Sequence, residues 1–415
     1  MPFGALEEII VLDLSDRLAA SFCAKTLGLY GCEVIKVESL EGDPLRQWTS
    51  PTQNGQVDDS PIFLHLNAGK KSISMDLHSK KGQSLLADLM KVSDVVIESQ
   101  KPGHWEEKGL AYNQIKNINP SIIFTSVTPY GQTGPYKNFA YDELTLFAMT
   151  GAMNREGLPD REPLRYAGEI AQYFAGNAAA AATASTLFKR TLTGEGDWLD
   201  ISIQECMAGH PHQIGRRAPY IYAGEPDPRS QPRTSASGAR EPYAVGTFRC
   251  KDGYFSFLPL GPRMWPNIAK MINREDLMTH PKYDDTIKRS ENKDELEAIF
   301  QAWLNDKTRE EIFKAVQAAG VPGSPILQPE EVHKNEQFIA RDFFQDVTHP
   351  NGQTLRMTGD PFRLSNTANS QIEPAPTLGQ NTTQVLQNLL HTVSYTHLRA
   401  HETEADLVCR LLLEK

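Results

Sequence analysis

The sequence predicts an α/β protein whose parallel sheet is covered by helices, together with a smaller α+β domain. Short runs rich in β-branched residues recur in the first third of the chain, and segments with helical periodicity separate them. A stretch rich in proline, serine and arginine begins at Glu225, and a hairpin pattern and two helical patterns follow it. At 415 residues the chain is long enough for roughly two or three domains.

The predicted strands of the large domain begin at Ile9 ("IIVLDL"), Glu33 ("EVIKVE"), Asp94 ("DVVIES") and Ser121 ("SIIFTSV"). Between the second and third runs, residues 85, 86, 89 and 90 form one apolar stripe at helical spacing. Strands that alternate with helices in this way favour a parallel sheet, because the crossover helices then cover its faces. We assign residues 1–224 to this large domain.

The small domain is predicted over residues 225–328, including its linker "EPDPRSQPRTSASGAREP". The runs "YAVGTFRC" and "YFSFLPL" flank the turn Lys251-Asp252-Gly253 and predict a hairpin. Helices are expected near 295–304 and 309–319, the second with a capping box formed by Thr308 and Glu311. A helix start at Pro329 and the strand-like "QTLRM" predict that residues 329–391 return to the large domain.

Composition narrows the classes of partner. The formal net charge of -10 excludes a chain-wide basic field, so neither nucleic acid nor an anionic membrane is an expected partner. The five cysteines are scattered without a C-x-x-C pair, which indicates a reducing, cytoplasmic setting. The acidic first ten residues and the absence of an apolar run of about 20 residues predict neither a signal peptide nor a membrane span.

Several local motifs predict no further ligand. The segment "DLSDRLAAS" after the first strand lacks G-x-G-x-x-G, so no NAD site is expected, and "NAGKKS" lacks the first glycine of a P-loop. The stretch "TGEGDWLDI" predicts a tight turn between a helix and a strand. His210 and His212 have no partner carboxylate nearby in the sequence, so we assign no metal.

Six segments of the chain carry a resemblance when they are taken together and in order. They are "VLDLSDRLAASFCAKTLGLYGCEVIKVESLEGDPLR", "LNAGKKSISMDL", "SDVVIESQKPG", "GQTGPYKNFAYDELTLFAMTG", "AAGVPGSPILQPEEV" and "APTLGQNT". Over roughly residues 5 to 390 the chain resembles the class III CoA-transferases. This family includes formyl-CoA:oxalate and crotonobetainyl-CoA:carnitine CoA-transferases and the related α-methylacyl-CoA racemases.

The resemblance implies an interlocked homodimer with a Rossmann-like large domain, a small second domain and an active site at the interface. It also implies an acyl-CoA and a small carboxylic acid as substrates, with coenzyme A as the only cofactor and neither metal nor NAD. Phosphates of CoA need cationic donors. Lys70, Lys71 and Lys101 match the family's basic positions, whereas Glu107, with Lys108 beside it, replaces an arginine.

Two further features match the family only in part. The pair Ala19-Ala20 stands where the family has Ala-Gly after the first strand, next to the CoA site. The glycine-rich loop that closes over the intermediate would fall in "TSASGAREP", where only Gly238 remains. Fewer glycines predict a less mobile lid.

The reacting carboxylate of the family is an aspartate, which attacks the thioester and carries CoA in turn. The matching position here is Gln172, and an amide cannot perform this step. Glu169 lies three residues earlier on the same helix face, so it is either a displaced nucleophile or an ordinary first-turn acid favoured by the helix dipole. Tyr141 and Asp142 match the transferase pair near the acyl group, whereas the racemases carry a histidine at the position of Tyr141.

Two functions stay open from the sequence. The retained Tyr141-Asp142 pair favours an enzyme acting on acyl-CoA thioesters, by CoA transfer or by related racemase, isomerase or lyase chemistry. The changes at Gln172, Glu107 and the lid favour a non-catalytic homologue that binds CoA esters or pairs with an active subunit.

The last segment, "HTVSYTHLRAHETEADLVCRLLLEK" from His391, resembles translated adapter sequence. We therefore expect residues 392–415 to be a non-native tail in which Cys409 has no chemical role. An ordinary C-terminal helix is the alternative.

Overall fold

The computed structural model describes residues 4–48, 60–157, 160–209, 220–224, 243–259, 264–350, 352, 354–367 and 371–391. These residues fold into two compact units. The first contains the described residues of 4–150, 166–209 and 339–391, and the second those of 151–165 and 220–338. The division therefore differs from the sequence boundaries in three places: the return to the first unit begins at Ile339, and both the short segment Gly151–Arg165 and residues 220–224 belong to the second unit.

The first unit is built on a six-stranded sheet in which every neighbouring pair is parallel. The strand order is β3-β2-β1-β4-β5-β6, which places a topological switch between β1 and β4. In such sheets ligands bind beyond the carboxyl ends of the strands at the switch. The predicted α/β fold class is confirmed. The strands are β1 (Ile10–Leu14), β2 (Glu33–Glu38), β3 (Lys71–Ser74), β4 (Val95–Glu98), β5 (Ile123–Thr128) and β6 (Trp198–Ser202).

Eight helices connect or follow these strands. The predicted apolar stripe of α3 is buried, with Leu86, Leu89 and Met90 inaccessible to solvent. The longest helix, α7, ends at Gly194 in the left-handed conformation (φ 73°), which confirms the predicted turn before β6. The helices are α1 (Leu18–Leu29), α2 (Pro61–Asn67), α3 (Lys80–Val92), α4 (His104–Glu107), α5 (Tyr112–Ile115), α6 (Glu143–Met149), α7 (Ile170–Thr193) and α8 (Ile203–Ala208).

The second unit has a core of its own around a three-stranded antiparallel sheet. The predicted hairpin is confirmed as β7 (Gly246–Cys250) and β8 (Gly253–Phe257), and β9 (Gly323–Pro325) pairs with β8. The capping box of Thr308 and Glu311 is present at the start of α12. The helices are α9 (Met264–Met271), α10 (Thr286–Glu291), α11 (Lys293–Asn305), α12 (Arg309–Ala319) and α13 (Pro329–Val332); α14 (Glu336–Ala340) follows at the boundary between the units.

The last described part of the chain completes the first unit. It forms the hairpin of β10 (Phe344–Thr348) and β11 (Thr354–Thr358) and then α15 (Thr382–Leu390). The edge strand β3 bonds to this part, because Ser72 N donates to Asn381 Oδ1 at 3.0 Å and Ser74 N donates to Thr382 Oγ1 at 3.1 Å. Side chains more than 300 positions later in the sequence therefore satisfy backbone donors on the exposed edge of β3.

Three sequence expectations lie outside the described residues: the lid glycine Gly238, the histidines His210 and His212, and the tail 392–415 with Cys409. Over the part of the chain that is described, no helix is both long and apolar enough to cross a bilayer.

Candidate active site at the first turn of α7

The first turn of α7 brings together the two residues that the sequence singled out. Glu169 is the N-cap residue of this 24-residue helix, and Gln172 lies one turn later with only 4% of its surface exposed. The Nε2 atom of Gln172 donates a hydrogen bond of 3.1 Å to Oε2 of Glu169. No other hydrogen bond to this carboxylate is found within the described residues. A carboxylate is thus held in place by a neutral amide at the positive end of a long helix dipole.

A second carboxylate caps the same helix. Glu143, the first residue of α6, is buried, and its Oε1 accepts a hydrogen bond of 2.7 Å from the backbone N–H of Ala171. This bond satisfies one of the donors that every helix leaves unpaired at its N-terminus. It also fixes the start of α6 against the start of α7. Glu143 directly follows the Tyr141-Asp142 pair in the sequence, but no local pattern indicates that it reaches α7.

The structure places Tyr141 and Asp142 next to this contact. Asp142 is the N-cap of α6, where its Oδ1 accepts from Thr145 N at 2.7 Å and its N–H donates to Thr145 Oγ1 at 2.9 Å. Tyr141 is partly buried, and this burial raises the pKa of its hydroxyl. It is therefore a protonated donor at neutral pH, whereas Asp142 orders the turn.

Close packing of α1 against α7 brings their first turns to the same end of the sheet. A Cβ atom at Gly176 would lie 2.7 Å from the carbonyl oxygen of Ala19, so only glycine allows this approach. The helix α1 follows β1 and α7 leads into β6 of the same parallel sheet, so both helices start at the carboxyl ends of the strands. Both residues of the Ala19-Ala20 pair are buried in α1. Two helix N-termini therefore converge where β1 ends.

Lys70 lies in the interior. Its ammonium donates to Asp13 Oδ2 at 2.7 Å and to Ser21 O and Oγ, both at 3.0 Å, and 5% of the residue is exposed. Burial lowers the pKa of Lys70 to about 8, which the nearby Asp13 opposes. Burial alone would raise the pKa of Asp13, but the charges of Lys36 and Lys70 outweigh it and hold this pKa below its usual value. The resemblance matched Lys70 to a CoA-binding position, but the sequence does not show that Asp13 lies beside it and holds its ammonium inside the fold.

The other two lysines are accessible. Lys71 forms a half-exposed ion pair with Glu33 at 2.7 Å. Lys101 is exposed just beyond the carboxyl end of β4, beside the topological switch. Glu107 is exposed on α4, and the neighbouring Lys108 donates to Leu77 O at 3.3 Å. Lys101 is therefore an accessible cation at the carboxyl ends of the strands, whereas Lys71 is the first residue of β3 and pairs with the first residue of β2.

A small cavity opens beside Lys101. Glu98 contributes a buried carboxyl to its lining, and Oε2 accepts from Gln100 N at 2.6 Å and Trp105 Nε1 at 3.2 Å. Burial raises the pKa of Glu98 to about 7, despite these hydrogen bonds. The cavity is lined by Glu98, Lys101, Gly103, Trp105, Glu106, Ala111, Tyr112, Asn113, Phe124, Ser126, Gln132 and Trp198.

Comparison with known proteins identifies the family. The profile "CoA-transferase family III" matches residues 6–382. A succinyl-CoA:glutarate CoA-transferase of Mus musculus is 30% identical over 386 residues, which cover 93% of this chain and 86% of that protein. A succinyl-CoA–D-citramalate CoA-transferase of Chloroflexus aurantiacus is 30% identical over 391 residues, with 94% and 95% coverage.

A solved structure gives the same result. The crystal structure of a CAIB/BAIF family protein from Brucella suis matches with a TM-score of 0.82 and 28% identity, over 93% of this chain and 100% of that chain. The protein belongs to CoA-transferase family III, and the resemblance inferred from its sequence segments is confirmed.

Proposed function

We propose that this protein transfers CoA between an acyl-CoA thioester and a carboxylic acid, and that the carboxylate of Glu169 is its nucleophile. The observation that carries the proposal is the hydrogen bond from Gln172 to Glu169 at the first turn of α7. The amide occupies the position of the family's aspartate and orients a carboxylate one turn away. The relatives described above are CoA-transferases, which supports the reaction class.

The single carboxylate of Glu169 is sufficient for every step of CoA transfer. An oxygen of Glu169 attacks the thioester carbonyl, a C–O bond forms, the C–S bond breaks and CoA leaves as a thiolate. The thiolate then attacks the Glu169 carbonyl of the mixed anhydride, which releases the first acid and leaves a glutamyl-CoA thioester. The acceptor carboxylate attacks that thioester, and the returning thiolate takes the new acyl group and regenerates Glu169.

The surroundings of Glu169 favour these steps. The N-terminus of a 24-residue helix stabilises negative charge as it develops on the carbonyl oxygen. The protonated hydroxyl of Tyr141 provides a further donor at the same end of the sheet. Lys101, exposed beyond the carboxyl end of β4, would hold a phosphate of CoA.

We also propose that the protein is a cytoplasmic homodimer. Two large apolar side chains on α7, Phe188 and Leu192, are 67% and 73% exposed in the single chain, and a second subunit would cover them. The described cysteines are free thiols, which fits a reducing compartment.

Oxygen labelling tests the nucleophile directly. The protein is incubated with an acyl-CoA and an acceptor acid labelled with ¹⁸O in its carboxylate, and its peptides are then analysed by mass spectrometry. In the proposed path the bridging oxygen of the second anhydride comes from the acceptor, so one ¹⁸O atom remains on Glu169. Product formation with label on Glu143 or Asp142 would reassign the nucleophile.

The alternative is a homologue that binds CoA esters without turnover. The amide at Gln172 favours it, because this residue cannot form the anhydride. In that case a CoA ester binds, while neither new thioester nor labelled peptide is found over a broad panel of acids.

A further inference from the structure

An arginine at the start of α1 lies near the ring of Tyr141. Arg17 is the N-cap residue of α1; its Cζ lies 5.9 Å from the centre of the Tyr141 ring, and its side chain is 47% exposed. We propose that Arg17 binds the second carboxylate of a dicarboxylic acid and so selects dicarboxylates over monocarboxylates. This inference rests on the proposed function, since it names the substrate class of the same site.

The guanidinium is only loosely paired. Its Nε lies 3.8 Å from Asp16 Oδ1, longer than the roughly 2.7–2.9 Å of a charge-assisted hydrogen bond. The same Asp16 oxygen accepts from Ser99 Oγ at 2.8 Å, which holds Asp16 toward the end of β4. Within the described part of the chain the Arg17 side chain makes no hydrogen bond. Its donors are therefore available to an incoming anion.

The ring of Tyr141 limits where the guanidinium can go. A cation near an aromatic ring is attracted to the face of that ring, so fewer side-chain conformations are populated. Tyr141 is itself fixed through the following residues, because Glu143 bonds to the N-terminus of α7. Arg17 is thus a partly ordered cation that loses little freedom when it binds an anion.

The helix packing sets Arg17 and Glu169 on the same side of the sheet. Ala19, two residues after Arg17, lies against Gly176, and Phe22 packs edge-on against Tyr173 at 4.9 Å. Glu169 and Gln172 immediately precede that part of α7. An acid with its reacting carboxylate at Glu169 can therefore extend toward Arg17. A second carboxylate there would accept two parallel hydrogen bonds, whereas an alkyl end would gain none.

The test compares two acids of equal carbon number, glutarate and pentanoate, as CoA acceptors from acetyl-CoA. We expect Arg17→Leu to lower the ratio of kcat/KM for glutarate to that for pentanoate by roughly 10- to 100-fold, mainly through KM. Arg17→Lys should fall between the two, because a lysine keeps the charge and loses the planar fork. The control Arg274→Leu removes an exposed ion pair in the second unit and should keep the wild-type ratio. An equal loss for both acids in Arg17→Leu would overturn the proposal.

A binding measurement separates this inference from the proposed reaction. Glutarate is titrated calorimetrically into the full-length protein saturated with CoA, which requires no turnover. Glutarate binding that is lost in Arg17→Leu supports the inference even if no acid is ever converted. If the ¹⁸O label reaches Glu169 but glutarate does not bind, or binds wild type and Arg17→Leu equally, the inference fails while the proposed function stands.

Discussion

Gln172 and Glu169 share a hydrogen bond of 3.1 Å across the first turn of α7. A second carboxylate at position 172 would repel Glu169, whereas the amide can only orient it. The pair therefore presents one carboxylate at this turn, and the amide fixes its direction.

Replacing Glu169 by glutamine should abolish CoA transfer, because an amide cannot form the anhydride. The loss should appear in kcat with any acceptor, while the folded state persists in circular dichroism. The control Glu195→Gln changes an exposed acid beyond the end of α7 and should keep full activity. Full activity in Glu169→Gln would return this residue to a structural role.

Replacing Gln172 by aspartate tests whether the site can use a carboxylate at the position that the resemblance assigns to the family's nucleophile. Two neighbouring carboxylates repel each other, which raises the pKa of one of them while the other stays ionised and nucleophilic. We expect transfer activity equal to or above that of wild type, with ¹⁸O label now found at position 172. A variant as inactive as Gln172→Ala over the whole acceptor panel would count against a transferase site at this turn.

The adjacent lysines 70 and 71 should differ sharply in their effect on stability. Lys70→Met leaves the buried Asp13 with Lys36 as its remaining cation, at 3.7 Å, and should cost about 3 kcal/mol of unfolding free energy. Lys71→Met removes a half-exposed pair and should cost less than about 1 kcal/mol. Urea denaturation of both variants makes the comparison. Equal losses would mean that Lys70 is not paired inside the fold.

Stability should depend on pH through Glu98. Burial raises its folded pKa to about 7 from the ordinary value of 4.5, so the folded state binds more protons between these values. The contribution of Glu98 is complete below about pH 4.5 and is lost as pH rises through about 7. Glu98→Gln, which cannot ionise, should therefore gain stability relative to wild type between pH 5 and 8, up to about 3 kcal/mol. The unfolding free energies of both proteins are measured by urea denaturation. If their difference does not change across this pH range, the pKa of Glu98 is not raised by burial.

CoA should bind in the micromolar to millimolar range, and it should bind more weakly as salt rises if exposed lysines hold its phosphates as proposed. Lys101→Ala should weaken binding severalfold and reduce the salt dependence. Lys314→Ala, which removes an exposed pair on α12, should change neither. If titration of CoA releases no heat of binding and no CoA ester competes, the prediction that CoA is a ligand is wrong.

The sequence predicted those parts of the fold that depend on local pattern. The runs from Ile9, Glu33, Asp94 and Ser121 became four parallel strands, and the capping box at Thr308 was found where expected. The spacing of Glu169 and Gln172 likewise predicted their shared helix face. Such features are fixed by residues a few positions apart.

Contacts between distant segments could not be predicted in the same way. The burial of Lys70 depends on Asp13, 57 positions earlier, and the α7 cap depends on Glu143, 28 positions from Ala171. The position of Arg17 depends on a glycine that lets α1 approach α7. Local sequence patterns do not indicate which distant segments of a chain contact each other. The contacts of Lys71 and Lys101 with CoA stay predictions.

The contacts of β3 with Asn381 and Thr382 also have a consequence for synthesis on the ribosome. The six strands of the sheet have all been translated by Ser202, but the segment that closes its outer edge emerges almost 180 residues later. Throughout that interval the nascent chain carries an uncovered strand while the second unit is being made. An unpaired edge of this kind is a template for association with other chains. Slow translation of the second half of the gene would lengthen this exposure, and faster completion of the chain would shorten it.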